Sequence, residues 1–261
     1  MTEPPMFAVS TLSMLAEPIP RSVALTTWVN SWLDGASSAD SVIAALECFG
    51  SHRVLAPEQD PAQSSGLILG LADLGLSVGR SHARLRVVLP TAGDPVGLPG
   101  PARLNQDAIA IGQVVIIDDL HVALLPVSDG EVTRWCASPT DSDRQVPAVI
   151  RPEQASQAVK AALTTATAAL RALDIAAGRD QVAGAISQIN QRIQQVSLPP
   201  DLDGPSRHTI HTAAVTLGIC EFARSFAPGA TTAALQAERA KVLNELSTTA
   251  RHCLAAAASP R

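Results

Sequence analysis

The sequence contains no tyrosine, and aromatic residues make up only 3% of its 261 positions. Stacking platforms for single-stranded nucleic acid and most binding hot spots are built from aromatic side chains, so both are scarce here. Cationic excess is missing too. Lys and Arg number 19 against 24 Asp and Glu, giving a net charge of −5. Nucleic acid and anionic membranes recruit basic patches, so neither is expected as a partner. No apolar run approaches the ~20 residues of a membrane span. Met1–Pro5 is acidic and proline-rich, not a basic stretch leading into an apolar one, so no secretory leader is expected. Cys48, Cys136, Cys220 and Cys253 form no CxxC pair and read as buried free thiols in a reducing, cytoplasmic setting. A P-loop, GxGxxG, HExxH and a GxSxG elbow are absent as well. No motif therefore marks an enzyme, and no metal and no cofactor are expected.

What is present is apolar material for a sizeable core, 46% of the chain, much of it alanine. Alanine buries little area, so the core must rely on Leu, Val and Ile and on close helix packing. Charge is split along the chain: residues 1–150 carry net −8 and residues 151–261 carry net +3. Opposite signs favour docking of two lobes, although screened surface pairs contribute little each.

The pattern predicts α+β: a small, mostly antiparallel sheet with flanking helices, then an Ala-rich antiparallel helical bundle. Residues 1–20 read as an irregular segment, 21–138 as the α+β lobe, 139–151 as a linker and 152–258 as the helical lobe. In the first lobe, Ser22 is the expected cap of a helix whose apolar face carries Trp28 and Trp32, read as core, and Gly35 ends it. A second short helix starts at Ser38 or Asp40, with Val42, Ile43, Ala45, Leu46 and Phe49 inward. Leu67, Leu71, Leu74 and Val78 predict a helix over 66–80. Strands are expected at 52–55, 85–89, 114–117, 122–125 and 131–137, with turns at Asp118–His121 and Asp129–Gly130. Four helices follow: from Pro152 to about Ala177, from Asp180, from Ser206 to about Phe226, and from Thr231 or Thr232 to about Ala257.

The most demanding segment is the Gly/Pro loop, where an apolar strand runs through Pro90–Pro101 into a helix expected to be capped by Asn105. Gly93, Asp94, Gly97, Gly100, Arg103 and Asn105 are the candidate ligand-binding residues. Backbone N–H groups beside a helix start favour an anion, and glycines let a ligand approach. Against this, Pro90, Pro95, Pro99 and Pro101 remove donors that a phosphate cradle needs. The competing readings are a rigid cover or lobe contact, and a partner-protein surface. Gly100 is expected at positive φ. Asp118, Asp119 and His121 are close enough for acid/base or metal chemistry but read first as a solvated turn. His208 and His211 share a helical face without a third ligand, and read as a surface pair.

The Val-Leu-Pro-x-x-Gly-Asp-x-x-Gly-Leu-Pro-Gly-Pro block from Val88 to Pro101, with Asn105, Ala108, Gly112–Val115 and a later Arg134-Trp135, resembles an actinobacterial protein family of unassigned function. The resemblance implies the layout and a source class, and carries no catalytic residue. The functional expectation is a non-enzymatic interaction or regulatory protein with a protein partner or a homo-oligomer. The alternative is a protein that binds or transforms a small anionic ligand where the loop meets the helix.

Overall fold

The computed structural model describes residues 17–57, 59–79, 83–141, 150–172, 179–225 and 232–259. The expected irregular segment falls mostly outside the described residues, as do most of the expected linker and the helix ends expected near Ala177 and Phe226. The chain opens with α1 (Arg21–Leu33) and α2 (Ala39–Leu46), then β1 (Ser51–Leu55), β2 (Ser65–Gly66) and α3 (Leu67–Asp73). Next come β3 (Leu85–Val88), α4 (Ala102–Ile111), β4 (Val114–Ile117), β5 (Val122–Asp129) and β6 (Val132–Pro139). The helical half holds α5 (Pro152–Ala172), α6 (Arg179–Gln194), α7 (Gly204–Ser225) and α8 (Ala233–Ala258). The architecture is α+β, as the sequence pattern predicts. Among the described residues, no helix is long and apolar enough to cross a membrane.

Six strands form one sheet in the order β2-β1-β6-β5-β4-β3. All neighbours are antiparallel except the parallel pair β1–β6. Strand alternation gives the sheet two apolar faces. On one, Leu85, Val115, Ile117, Leu124 and Trp135 pack under α1, α2 and α3. On the other, Val88, Val114, Ile116, Ala123 and Leu125 pack under α4. The helical half is not a separate core. Ile19, Val23, Val87 and Leu89 join Ala155, Val159, Ile210, Leu254 and their neighbours in one apolar cluster. Helices α5, α7 and α8 add a second small cluster of their own around Cys220, Val242 and Leu246. Trp28 and Trp32 are core, as expected.

Several local expectations need correction. Ser22 lies inside α1, not at its cap; the N-cap is Pro20, and the Ser22 N–H donates to Gln113 Oε1 at 3.0 Å. The orphan donor is therefore satisfied from a distant part of the chain, which no local rule can see. The helix expected over 66–80 stops at Asp73. Gly75, at φ +96°, and Leu76 donate to the carbonyls of Ala72 and Leu71, a Schellman end that folds Leu76 back into the core. Val78, expected inward, is left 46% exposed. In α2 only Val42 and Leu46 are buried, one turn apart, and Ile43 is 45% exposed. Cys48 is exposed and Cys136 half-buried, whereas Cys220 and Cys253 are buried thiols.

Trp135, fully buried, donates its indole N–H to His52 Nδ1 at 3.0 Å, and His52 Nε2 lies 3.1 Å from the Leu46 carbonyl. Accepting at one nitrogen and donating at the other requires a neutral ring. Burial, the dominant cause, pushes the imidazole down to about 4 from 6.5, with the Leu46 carbonyl opposing the shift and Arg21 reinforcing it. The consequence is a pH-dependent stability. Above pH 6.5 the ring is neutral in both folded and unfolded chains. Between pH 6.5 and about 4 the unfolded chain takes up a proton that the native state refuses. Stability therefore falls by roughly 2–3 kcal/mol across that window. Urea unfolding at pH 7.5, 5.5 and 4 is expected to show the decline in the native chain and a flatter profile in His52→Gln. Parallel profiles would refute the assignment.

Candidate functional site

The Gly/Pro loop is fixed at each of its chemically distinctive residues. At its start, Thr91 and Asp94 exchange backbone hydrogen bonds of 2.9 and 3.2 Å, closing a tight turn through Gly93 at φ +88°. The turn aims the Asp94 side chain at α8. There Asp94 Oδ2 lies 2.9 Å from His252 Nε2 and 3.6 Å from Arg251 Nη2. All three side chains are largely buried, 13% exposed for Asp94 and Arg251 and 16% for His252. Arg251 is held from its own helix as well, donating to Ser247 Oγ and Thr248 Oγ1, both at 2.9 Å. Desolvation lowers the Arg251 guanidinium from its ordinary value, and the Asp94 carboxylate opposes that shift.

Further along, Gly97 lies over Val88, and its carbonyl accepts from Arg86 Nη1 at 3.0 Å. The rest of that guanidinium grips Asp118 at 2.5 and 2.9 Å. Leu98 is buried with the α4 face of the sheet. Gly100 has the expected positive φ, +91°, and its N–H donates to Asn105 Oδ1 at 3.0 Å. Here the sequence expectation needs correction. Helix α4 begins at Ala102 with Pro101 as its N-cap, four residues earlier than expected, and Asn105 sits inside it. Its amide still ties a backbone N–H, reaching back from the helix to the loop. Arg103, in the first turn of α4, is 40% exposed and pairs with Asp107 at 3.2 Å.

The structure thus separates the candidate residues. Asp94 belongs to the contact with α8, Gly97, Gly100 and Asn105 hold the loop's own path, and Arg103 faces outward. Arg251 and His252, the partners of Asp94, carry no sequence signal: a charged pair on an Ala-rich helix reads as solvated face. Asp118 is committed to Arg86, while Asp119 and His121 are exposed on a one-turn 3-10 segment, where His121 takes φ +51°. The strand does not continue through them, so they do not share a face by alternation. On α7, His208 is exposed and His211 half-buried. Among the described residues, no group of three or more His, Cys, Asp and Glu is placed to hold a metal ion.

A cleft of about 190 Å³ opens elsewhere, between α1, the connection from α6 to α7, and the end of α8. Asn30, Ser31, Asp34, Asp201 and Ser259 are among its lining residues. Ser31 Oγ donates to Asp201 Oδ1 at 2.5 Å across it.

Residues 22–149 match the model of the Rv1486c-like protein N-terminal domain, and residues 153–255 match that of the Rv1486c-like protein C-terminal domain. The chain belongs to this actinobacterial family. Among its relatives, the uncharacterized protein Rv1486c of Mycobacterium tuberculosis is 32% identical over 109 residues, covering 37% of this chain and 38% of its own. The uncharacterized protein MAV321 of Mycobacterium avium is 31% identical over 140 residues, 48% of this chain and 45% of its own. The uncharacterized protein ML1804 of Mycobacterium leprae is 28% identical over 122 residues, 38% and 41%. The chain therefore spans less than half the length of these relatives in the matched region. No solved structure matches it significantly.

Proposed function

We propose that this member of the Rv1486c-like family is a cytosolic interaction or regulatory protein that works without catalysis. In this reading two lobes, 21–138 and 152–258, form one scaffold, and the scaffold presents helical surface to a partner protein or a second copy. The observation that carries the reading is the aliphatic surface left over once both lobes have shared a core. Leu69 on α3 is 61% exposed, Val78 after that helix 46% and Ile43 on α2 45%. A partner surface laid over α2, α3 and Val78 would remove these side chains from water. Sedimentation velocity across a wide concentration range tests it. Association that Leu69→Asp weakens supports the reading. A monomer at every concentration, with no partner cross-linked through α3, overturns it.

A small anionic ligand is the second reading, favoured by Arg103 standing 40% exposed in the first turn of α4. Helix N-termini attract anions through free N–H groups and the helix dipole. Gly93, Gly97, Gly100 and Asn105 would shape the approach, with Asp94 turned away towards α8. Calorimetric titration with inorganic phosphate decides it: binding lost in Arg103→Ala supports the site, and no heat of binding in the native chain removes it.

A further inference from the structure

Two buried polar atoms lie in the contact between the Gly/Pro loop and α8. Asp94 Oδ2 accepts, and Arg251 Nε donates, no hydrogen bond among the described residues, although both atoms are shielded from solvent. His252 Nε2 is close to Asp94 Oδ2 in distance but is not aligned as a hydrogen bond. The contact is thus paired in charge and incomplete in hydrogen bonding. The rest of the loop differs: Arg86 holds the Gly97 carbonyl and Asn105 holds the Gly100 N–H. The turn at Asp94 is therefore tied to α8 through its carboxylate, while residues 97–101 are held separately by Arg86 and Asn105.

We propose that the Thr91–Asp94 turn is a latch on α8, released as a unit from the Asp94–Arg251–His252 contact and held more tightly when His252 is protonated. With a neutral imidazole, the Asp94 carboxylate faces one cation, Arg251, at 3.6 Å. With an imidazolium it faces two, and the second is at 2.9 Å. The other charged or titratable groups that act on this contact are Arg224 and Cys220 on α7, both through Arg251. Cys220 is a thiol pushed up to about 11 by burial, so it does not change charge near neutrality. Release frees the turn beside Val96, itself 46% exposed, and so varies the surface that the loop offers. The latch does not depend on the interaction function proposed above, because its test needs no partner.

Hydrogen–deuterium exchange on the full chain, corrected for intrinsic rates, reads the latch directly. In Asp94→Asn, peptides covering 91–97 are expected to exchange about tenfold faster at both pH 6 and pH 8, with β4 and β5 unchanged. Exchange of 91–97 in His252→Gln, relative to the native chain, should rise as the pH is lowered. The native-minus-variant difference cancels His52, whose effect on stability runs in the opposite direction. Equal exchange of 91–97 in Asp94→Asn and the native chain overturns the latch. The same pH ratio in His252→Gln and the native chain overturns its proton sensitivity. If Asp94→Asn loosens β4 and β5 equally, the turn is not a separate unit and the proposal also fails.

Discussion

Gly50→Ala is expected to lower stability by about 3–5 kcal/mol. Gly50 has φ +91° and ψ −164°, a conformation open essentially only to glycine. A methyl group there is also driven into the Glu131 backbone carbonyl. That carbonyl has no freedom to retreat, because it accepts the Ser51 N–H at 2.9 Å. This hydrogen bond begins the parallel pairing of β1 with β6, where Ser51 lies opposite Val132. Strain and clash therefore fall on the one parallel junction of the sheet. Gly130→Ala is the control. Gly130 also has positive φ, +61°, but a methyl group there meets nothing within 4 Å, so the loss should be only about 1 kcal/mol. Guanidinium unfolding of the two variants checks the difference. A Gly50→Ala midpoint equal to that of Gly130→Ala would contradict the backbone path described here.

The second large effect is expected from Asn30. Strand β3 is an edge of the sheet, and its outward backbone groups need partners. The Asn30 amide supplies two, donating to the Leu85 carbonyl at 2.8 Å and accepting the Leu85 N–H at 2.9 Å. It behaves as one residue of a missing neighbour strand. Ser259, just past α8, accepts the next outward N–H, that of Val87, at 3.2 Å. Asn30→Ala strands a buried donor and a buried acceptor at Leu85, which is fully buried, and should cost about 2–4 kcal/mol. Asn30→Leu separates the explanations. It restores volume but neither hydrogen bond, so it should be as unstable as the alanine variant. Recovery of native stability in Asn30→Leu would show that packing alone matters at this position.

Both residues show where local reading of the chain stops. The Gly50 region was readable as a helix stop followed by a strand, because apolar spacing and a glycine mark the change. What lies 2.9 Å from the following N–H was not readable, because Glu131 is eighty residues away. Asn30 sits on a helix between Trp28 and Trp32, and its spacing says only that it shares the region of a buried face. The Gly/Pro loop behaves in the same way. Its stiffness, its positive-φ glycine at Gly100 and its position between strand and helix follow from residue types. Its target, Arg251 and His252, lies more than 150 residues along the chain and has no local signature. The misplaced start of α4 has a related cause. Asn105 is a good capping residue by type, yet it meets the Gly100 N–H from within the helix.

The sequence by itself determined the α+β class, the hairpins at Asp118–His121 and Asp129–Gly130, and the burial of Trp28 and Trp32. Periodicity and turn chemistry act over a few residues, and composition acts over the whole chain, so these features need no knowledge of which distant segments meet. Only the tertiary structure decided that β1 pairs in parallel with β6, that β3 is sealed by Asn30 and Ser259, and that Asp94 is spent on α8. Each of these is a match between backbone or charged groups from distant parts of the chain. Burial makes such a match obligatory, since an unpaired polar group in the interior is costly, but it does not say which partner will be found.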